Sequence, residues 1–330
     1  MRDTLVSTEV IRDAVQLACR APSLHNSQPW RWVYHGDTVD LFLDQDRVLY
    51  GTDPTGRESL LSCGAVLDHF RVAMCAAGWT VIIERFPNPN NRHHLASVGF
   101  RAVEFVTEGD RLLAEAISRR RTDRLPFAAP PDWDLVEPQL HSAVNFDTVR
   151  LDTIADELRP ELARASELTA SLRLYDSSYH AEMAWWTHRS ETADGIPQSS
   201  LVSASESERV DIARDFPVAD NAERRAEVGS DHSKIMVLST FDSEPRSMLH
   251  CGEMLSALLL EATRLGLATC TLTHITELPK SRAVITSLTG RSTMTPQVLV
   301  RVGLAGDATQ PPPTPRRPVD DVLEIRLGED

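Results

Sequence analysis

The sequence has few cysteines, and none of them stands in the paired spacing of a redox or zinc motif. The five residues are scattered, at Cys19, Cys63, Cys75, Cys251 and Cys270. An odd, dispersed set is typical of reduced thiols in a cytoplasmic protein rather than of a disulfide framework. We therefore expect each cysteine to serve as a small buried apolar residue.

The chain also lacks an excess of positive charge and any long apolar run. Lys and Arg number 34 against 48 Asp and Glu, a formal net charge of −14 over 330 residues, which argues against a nucleic-acid surface. Without an apolar run of about 20 residues, the sequence predicts no membrane span, and its start does not resemble a signal peptide. The adjacent His93 and His94 have no partners at metal-ligand spacing. We expect a cytoplasmic protein without metal, membrane or nucleic-acid partners.

What the sequence does contain is a dense polar loop between two prolines, within residues 21–32. It follows a predicted helix that ends near Pro22, because proline has no N–H and disfavours helical backbone in its predecessor. The polar side chains before Pro29 are Ser23, His25, Asn26, Ser27 and Gln28, and Trp30 follows. A loop fixed at both ends with so many donors and acceptors is pre-organised to hold a polar planar ligand. An ordinary turn after a helix explains the same residue types equally well.

Two segments of the chain repeat at an offset of 188 residues. The shared positions include Cys63-Gly64 with Cys251-Gly252, Leu61 with Leu249, and Gly78 with Gly266. Each segment is a predicted helix followed by a short strand, and a second strand in each half carries a Val-Gly pair. Repetition of a helix–strand–strand unit indicates internal duplication; chance similarity between two amphipathic helices is the alternative. Alternation at 30–34 and 38–43 around a Gly-containing turn predicts a β-hairpin before the first copy.

Arginine is concentrated at one point, where four of the six residues at 119–124 are arginine. Arginine is always charged, and its planar fork binds phosphate with two hydrogen bonds, so the segment predicts an anion site. Thr122 can add a hydroxyl group, whereas Asp123 places a negative charge nearby. A solvated basic helix end, favoured by the helix dipole, is the competing explanation.

Two further segments have no counterpart in the first copy. Residues 187–230 are polar, and we interpret them as a surface insert that covers a site as a lid. The tail 310–318 is rich in proline and therefore extended, so that it presents Arg316 and Arg317, unless it is simply solvated. Residues 319–327 alternate enough to add an edge strand to the other half.

The loop Ala-Pro-Ser-x-x-Asn-x-Gln-Pro-Trp resembles the signature of the FMN-dependent nitroreductase superfamily, and the nearest branch is the Acg-like proteins. The resemblance implies that this loop contacts the flavin across a subunit boundary. It also implies that the arginine segment and the basic pair of the tail bind the flavin phosphate, with Thr122 in place of the usual serine. The implied cofactor-binding residues are Ser23, Asn26, Ser27, Gln28, Trp30, Arg120, Arg121, Thr122, Arg124, Arg316 and Arg317. The resemblance further suggests Gly195, Ile196 and Pro197 as candidates for a loop that the family places near the reactive edge of the flavin.

The combined expectation is an α/β (α+β) nitroreductase-like fold, duplicated so that one chain mimics the homodimer of the family. The first half would span 1–110 with the flavin loop at 21–32. The second half would span 111–330, with the insert at about 187–230 and a C-terminal arm at 310–330. Because each half supplies what the other lacks, we expect one flavin site per chain at their junction, in a monomer or weak homodimer.

The resemblance implies an oxidoreductase in which NAD(P)H gives hydride to FMN and the reduced flavin passes electrons to a nitroaromatic or quinone-like acceptor. The redox chemistry belongs to the flavin, and the sequence singles out no side chain as a general acid or base. The alternative is an FMN-binding or FMN-sequestering protein whose lid leaves little or no reductase turnover.

Overall fold

The computed structural model describes residues 5–144, 147–187, 193–306 and 311–326, which form one mixed and one antiparallel sheet on either side of a pair of long helices. The predictions that fall on residues 188–192, 310 and 327–330 lie outside the described residues. The strands are β1 (Trp30–Tyr34), β2 (Thr38–Leu43), β3 (Trp79–Arg85), β4 (His94–Ala102), β5 (Val149–Ile154), β6 (Lys234–Thr240), β7 (Ala268–Leu272), β8 (Thr295–Gly303) and β9 (Leu323–Ile325). This mixed architecture confirms the predicted fold class.

The helices follow the apolar periodicity of the sequence. They are α1 (Thr8–Ala18), α2 (Arg57–Ala76), α3 (Glu108–Arg119), α4 (Trp133–Ser142), α5 (Arg159–Arg173), α6 (Ser177–Thr187), α7 (Ala204–Ser207), α8 (Pro245–Arg264), α9 (His274–Glu277) and α10 (Pro279–Thr289). The Ser7 hydroxyl caps α1 by accepting from the amide of Val10, and a capping box of Thr107 and Asp110 begins α3.

The two sheets share one strand order, as internal duplication requires. The first runs β3-β4-β2-β1 and the second β7-β8-β6-β5, with antiparallel pairing throughout these strands. The position of each helix is also shared, because α2 connects β2 to β3 and α8 connects β6 to β7.

Helices α2 and α8 form the contact between the halves, and they meet at the two glycines of the repeated Cys-Gly pair. A Cβ atom on Gly64 would lie 1.9 Å from the carbonyl oxygen of Leu249, and one on Gly252 would lie 2.1 Å from that of Leu61. Leu61 packs in the core of the second half and Leu249 in that of the first. These reciprocal contacts, at the same offset of 188 residues, define a pseudo-twofold relation.

The C-terminal arm crosses to the first half. Strand β9 pairs in parallel with β1, with Trp32 opposite Leu323 and Tyr34 opposite Ile325. The strand is shorter than the predicted 319–327, because Val319–Asp321 forms a 3-10 turn before it. The arm thereby ties the end of the second half to the loop of the first.

By length and apolar composition alone, α2 could cross a membrane, whereas the sequence predicted no membrane span. However, 78% of its most apolar window is buried inside the protein, and a core helix commonly meets the same criteria. The helix is therefore weak evidence for a membrane span.

Candidate functional site

A large cleft lies between the two halves, beside the amino-terminal part of α2. It encloses about 1060 Å³ of space between atoms, part of it open to solvent. Its walls come from the predicted loop, the arginine segment, β7 and the insert, and include Ser23, His25, Glu58, Leu61, Thr122, Arg124, Arg214, Phe216, Leu255, Thr271, His274 and Val298. Both apolar surface and convergent polar groups are present, as in many small-molecule sites.

The predicted loop is strained. His25, Asn26 and Gln28 have φ angles of 48°, 59° and 51°, in the left-handed region that favours glycine and costs other residues about 1–3 kcal/mol each. The Ser23 hydroxyl steadies the turn by accepting from the amide of Gln28 at 3.0 Å. Three such residues in one loop indicate that the surrounding contacts dictate its shape.

The amide side chains of this loop hold the insert and the C-terminal arm. Asn26 Nδ2 donates to the carbonyls of Gly195 and Pro315, each at 3.0 Å. Gln28 Nε2 donates to the carbonyl of Ala193 at 2.9 Å, and Gln28 Oε1 accepts from the amide of Arg317 at 3.0 Å. The loop is therefore the point where three segments, distant in sequence, are joined.

Arg47 adds a second attachment for the insert. Its Nε donates to the carbonyl of Ser27 at 2.6 Å, and its Nη2 forms an ion pair with Asp194 at 2.6 Å. Further along, Ile196 is buried against Leu201 and Phe216. Pro197 precedes a short 3-10 turn. The part of the insert that the structure describes is thus bound to the first half as well as to the second.

The arginine segment is extended, so alternate side chains take different environments. Thr122 and Arg124 line the cleft, whereas Arg121 and Asp123 line a smaller cavity of about 540 Å³ together with Arg120. The amide of Asp123 donates to the carbonyl of Thr269 at 2.9 Å, which attaches the segment beside β7. The period of two in an extended chain therefore divides residues 121–124, whereas Arg120, which caps the end of α3, lies beside the same cavity as Arg121.

Arg124 is a partly buried cation of the cleft wall. Its guanidinium group lies 5.0 Å from the centre of the Phe216 ring, a cation–π arrangement. Its nearest hydrogen-bond acceptor is the carbonyl of Ser200 at 3.5 Å. Burial lowers the pKa of Arg124, and no carboxylate among the described residues lies within ion-pair distance.

A cationic cluster of Arg20, Arg120, Arg121 and Arg316 surrounds the carboxyl end of α1. Arg120 and Arg316 both donate to the carbonyl of Arg20 at 3.0 Å, and Arg316 also donates to the carbonyls of Cys19 and Ala21. Within the described ranges, none of the four has a carboxylate within 4 Å.

Burial and mutual repulsion make this cluster electrostatically unfavourable without an anion. Burial, followed by repulsion from Arg121 and Arg20, lowers the pKa of Arg120 to about 10. The pKa of Arg316 falls to about 9, through burial and then through repulsion from Arg120 and Arg20. The buried Nε of Arg120 has no hydrogen-bond partner in the described part of the chain, so the cluster can accept an anionic ligand.

Two of the residues predicted to bind the cofactor lie outside both the cleft lining and the cationic cluster. Trp30 is fully buried in the core of the first half, packed with residues of α1, α2 and β9. Arg317 folds back on its own arm, donating to the carbonyl of Asp321 at 2.8 Å, and lies 3.6 Å from Asp44. Trp30 and Arg317 therefore stabilise the position of the loop.

Several residues of the cleft were not among the cofactor-binding residues implied by the sequence. His25 stands within the loop, and its Nε2 is buried without a partner in the described residues; burial, then the nearby Arg214 and Arg124, lower its pKa well below the usual value. Glu58 is 2% exposed, and its Oε2 has no partner there either. Neither Glu58 nor Arg214 belongs to a motif, so only the fold could reveal them.

Comparison with solved structures finds distant similarities. The FMN and NADPH-dependent nitroreductase NfnB from Sphigopyxis is 14% identical, with a TM-score of 0.45 over 65% of this chain and 98% of that chain. A nitroreductase with bound FMN from Desulfitobacterium hafniense is 16% identical, with a TM-score of 0.42 over 66% of this chain and 98% of that chain. No protein-family model matches the sequence.

Relatives from Mycobacterium tuberculosis H37Rv are similar along almost the whole chain. The "Putative NAD(P)H nitroreductase acg" is 67% identical over 330 residues, 100% of this chain and 99% of that protein. A second protein of the same descriptive name, Rv3131, is 34% identical over 96% of this chain and 91% of that protein. Such identity over the full length confirms the resemblance noted in the loop. The chain therefore belongs to the Acg family of NAD(P)H nitroreductase-like proteins.

Proposed function

We propose that the protein is an FMN-dependent NAD(P)H oxidoreductase of nitroreductase type, with one flavin site between its two halves. The observation that carries the proposal is the cationic cluster, four arginines without a carboxylate partner in the described structure, adjoining a cleft with apolar walls. The names of its close relatives, which refer to NAD(P)H nitroreductases, agree with this function.

The residues present fit FMN. The cationic cluster suits a phosphate group, because arginine forms paired, charge-assisted hydrogen bonds with phosphate oxygens; we assign Arg120, Arg121 and Arg316 to it. Ser23, Thr122 and Arg124 line the cleft and would contact the ribityl chain and the ring. Asn26, Ser27, Gln28 and Arg317 would shape the site through their contacts with the insert and the arm, and Trp30 would support the loop.

FMN, when bound, supplies the hydride chemistry between NAD(P)H and a nitroaromatic or quinone-like acceptor. The chain itself binds and orients the reactants. Leu61, Leu255 and Val298 would provide an apolar surface for a flat ring, and the insert residues Val210 and Phe216 line another part of the cleft. Gly195, Ile196 and Pro197 remain our candidates for the edge of the flavin, since Asn26 fixes the Gly195 carbonyl.

The same proposal includes the division of the chain. We assign 1–110 to the first half and 111–330 to the second, with the insert at 187–230 and the arm at 310–330. Since both halves of the site come from one chain, a monomer or weak homodimer suffices. A cytoplasmic location remains our prediction.

A second candidate is an FMN-sequestering protein with little turnover. The observation that favours it is the attachment of the insert by Asn26, Gln28 and Arg47, because a closed cover would hinder a second substrate from reaching the flavin.

Anaerobic addition of NADH or NADPH to the purified yellow protein separates the two candidates. The oxidoreductase predicts that the flavin absorbance bleaches within a turnover time and returns when a quinone is added. The sequestering protein predicts a persistent yellow colour. Arg47→Met loosens the insert, so under the second candidate this variant should bleach faster than the unmodified protein. A colourless protein that binds no added FMN would contradict both.

A further inference from the structure

The cleft contains a buried acid that the proposed function has not used. Glu58 lies in the first turn of α2 and contributes to the cleft wall, with only 2% of its surface exposed. A carboxyl group in such a place either has a full set of partners or retains its proton.

Only one of the two carboxyl oxygens of Glu58 has a hydrogen-bond partner in the described residues. Its Oε1 accepts from Arg57 Nη2 at 2.9 Å, whereas its Oε2 is buried with no partner in the described residues. Arg57 is itself fixed, because it donates to the carbonyl of Gln297 at 2.6 Å and to the hydroxyl of Thr276 at 3.1 Å. A proton on this group therefore belongs on Oε2, the oxygen that Arg57 does not contact.

The charges that face Glu58 come from several elements. Arg57 on α2, Arg214 on the insert and Arg282 on α10 are positive, whereas Glu277 on α9 and Asp53 before α2 are negative. Arg214 is neutralised by its own ion pair with Glu277. Burial, reinforced by Glu277 and opposed by Arg57, raises the pKa of Glu58 to about 8. The group is consequently a neutral acid at neutral pH that can still release its proton, the property required of a general acid.

We propose that Glu58 is the proton donor to the electron acceptor in this cleft. The inference rests on the proposed oxidoreductase function. A quinone that receives a hydride equivalent at one carbonyl oxygen gains two electrons and one proton there, and its other oxygen becomes negatively charged. The O–H bond at Glu58 Oε2 breaks as a new O–H bond forms on that oxygen, which completes the hydroquinone. The resulting carboxylate, stabilised by Arg57, regains a proton from solvent water at the open side of the cleft.

The experiment compares Glu58→Gln with Glu58→Asp and a matched control. The control is Glu253→Gln, which removes another buried carboxyl that pairs with Arg85 at 2.6 Å away from the cleft. Each variant is first checked for bound FMN and for anaerobic bleaching by NADPH, which the proposal leaves unchanged. The rate of quinone reduction is then measured from pH 6 to pH 10.

For Glu58→Gln we expect quinone reduction to fall about 100-fold, with partial recovery in Glu58→Asp and no loss in the control. In the unmodified protein the rate should decrease above about pH 8, and this decrease should be absent from Glu58→Gln. An infrared band of a protonated carboxyl group, present at pH 7 and lost in Glu58→Gln, provides a readout independent of turnover.

The outcomes separate this inference from the proposed function. If Glu58→Gln reduces quinone at the unmodified rate, or if the infrared band survives the substitution, Glu58 is not the donor although the oxidoreductase stands. If the unmodified protein binds FMN but never bleaches, the oxidoreductase fails and the role of Glu58 fails with it.

Discussion

Replacing Arg316 with methionine should weaken FMN binding about 100-fold and leave riboflavin binding almost unchanged. The two ligands differ only in the phosphate group, which the cationic cluster is proposed to hold. A hydrogen bond between charged groups contributes about 1.5–3 kcal/mol, and a tenfold change in affinity corresponds to about 1.4 kcal/mol. Loss of a paired contact of about 3 kcal/mol therefore gives the expected factor.

The structure sets the sign and the limit of this effect. Arg316 now donates to the carbonyls of Cys19, Arg20 and Ala21 at 2.8, 3.0 and 3.2 Å, and to those of Thr314 and Pro315 on its own arm at 3.1 and 3.0 Å. These contacts must partly yield to the phosphate. Methionine retains much of the apolar stem but cannot donate. Repulsion from Arg120 and Arg20 also disappears, which offsets part of the free energy of unfolding that the variant loses with these hydrogen bonds.

Isothermal titration of FMN and riboflavin into the apoprotein measures the difference directly. Arg326→Met is the matched control, because Arg326 lies on the same arm, is exposed, and pairs only with Glu324 among the described residues. An equal loss of affinity for FMN and riboflavin would refute the reasoning, since it would show that Arg316 acts by capping α1 rather than by binding phosphate.

Three further predictions concern the loop, the helix contact and the buried acid. Asn26→Ala removes two hydrogen bonds to the insert and the arm; unfolding in urea should show a loss of about 2 kcal/mol, and the insert should be cleaved faster by protease. Gly64→Ala forces a Cβ atom to 1.9 Å from a backbone oxygen, so it should lower the free energy of unfolding by about 3 kcal/mol or more. The control Gly99→Ala, with open space around the new Cβ atom, should lower it by less than about 1 kcal/mol. The folded state raises the pKa of Glu58 from 4.5 to about 8. The contribution of Glu58 to the free energy of unfolding is therefore present below pH 4.5 and is lost as pH rises towards 8, by at most about 5 kcal/mol. Glu58→Gln should flatten this part of the pH–stability curve, and an unchanged curve would contradict the assignment.

Local patterns predicted much of the fold. The hairpin β1–β2 has the predicted bounds, and the two predicted helices of the repeat are α2 and α8, because the periodicity of each element is set by which face is buried. The repeated Cys-Gly pair predicted a duplication, and the shared strand order agrees with it. Such features depend on neighbouring residues and are visible in one sequence.

Contacts between distant segments could not be predicted in the same way. The tail was expected to present Arg316 on an extended rod, yet the side chain folds onto the carboxyl end of α1, where free carbonyls attract a cation. Glu58 resembles an ordinary first-turn acid, and only the packing of α9, α10 and the insert around it raises its pKa. The division of the arginine segment depends on its extended backbone, whereas the sequence treats Arg120, Arg121, Thr122 and Arg124 as one group.

The stoichiometry of FMN binding tests the central claim most directly. Titration of the apoprotein with FMN, followed by flavin fluorescence and by absorbance after gel filtration, should reach saturation at one FMN per chain. That result follows because the strained loop occurs in the first half alone and the arginine segment in the second alone. Two sites of similar affinity per chain, or no binding at all, would contradict a single flavin site between unequal halves.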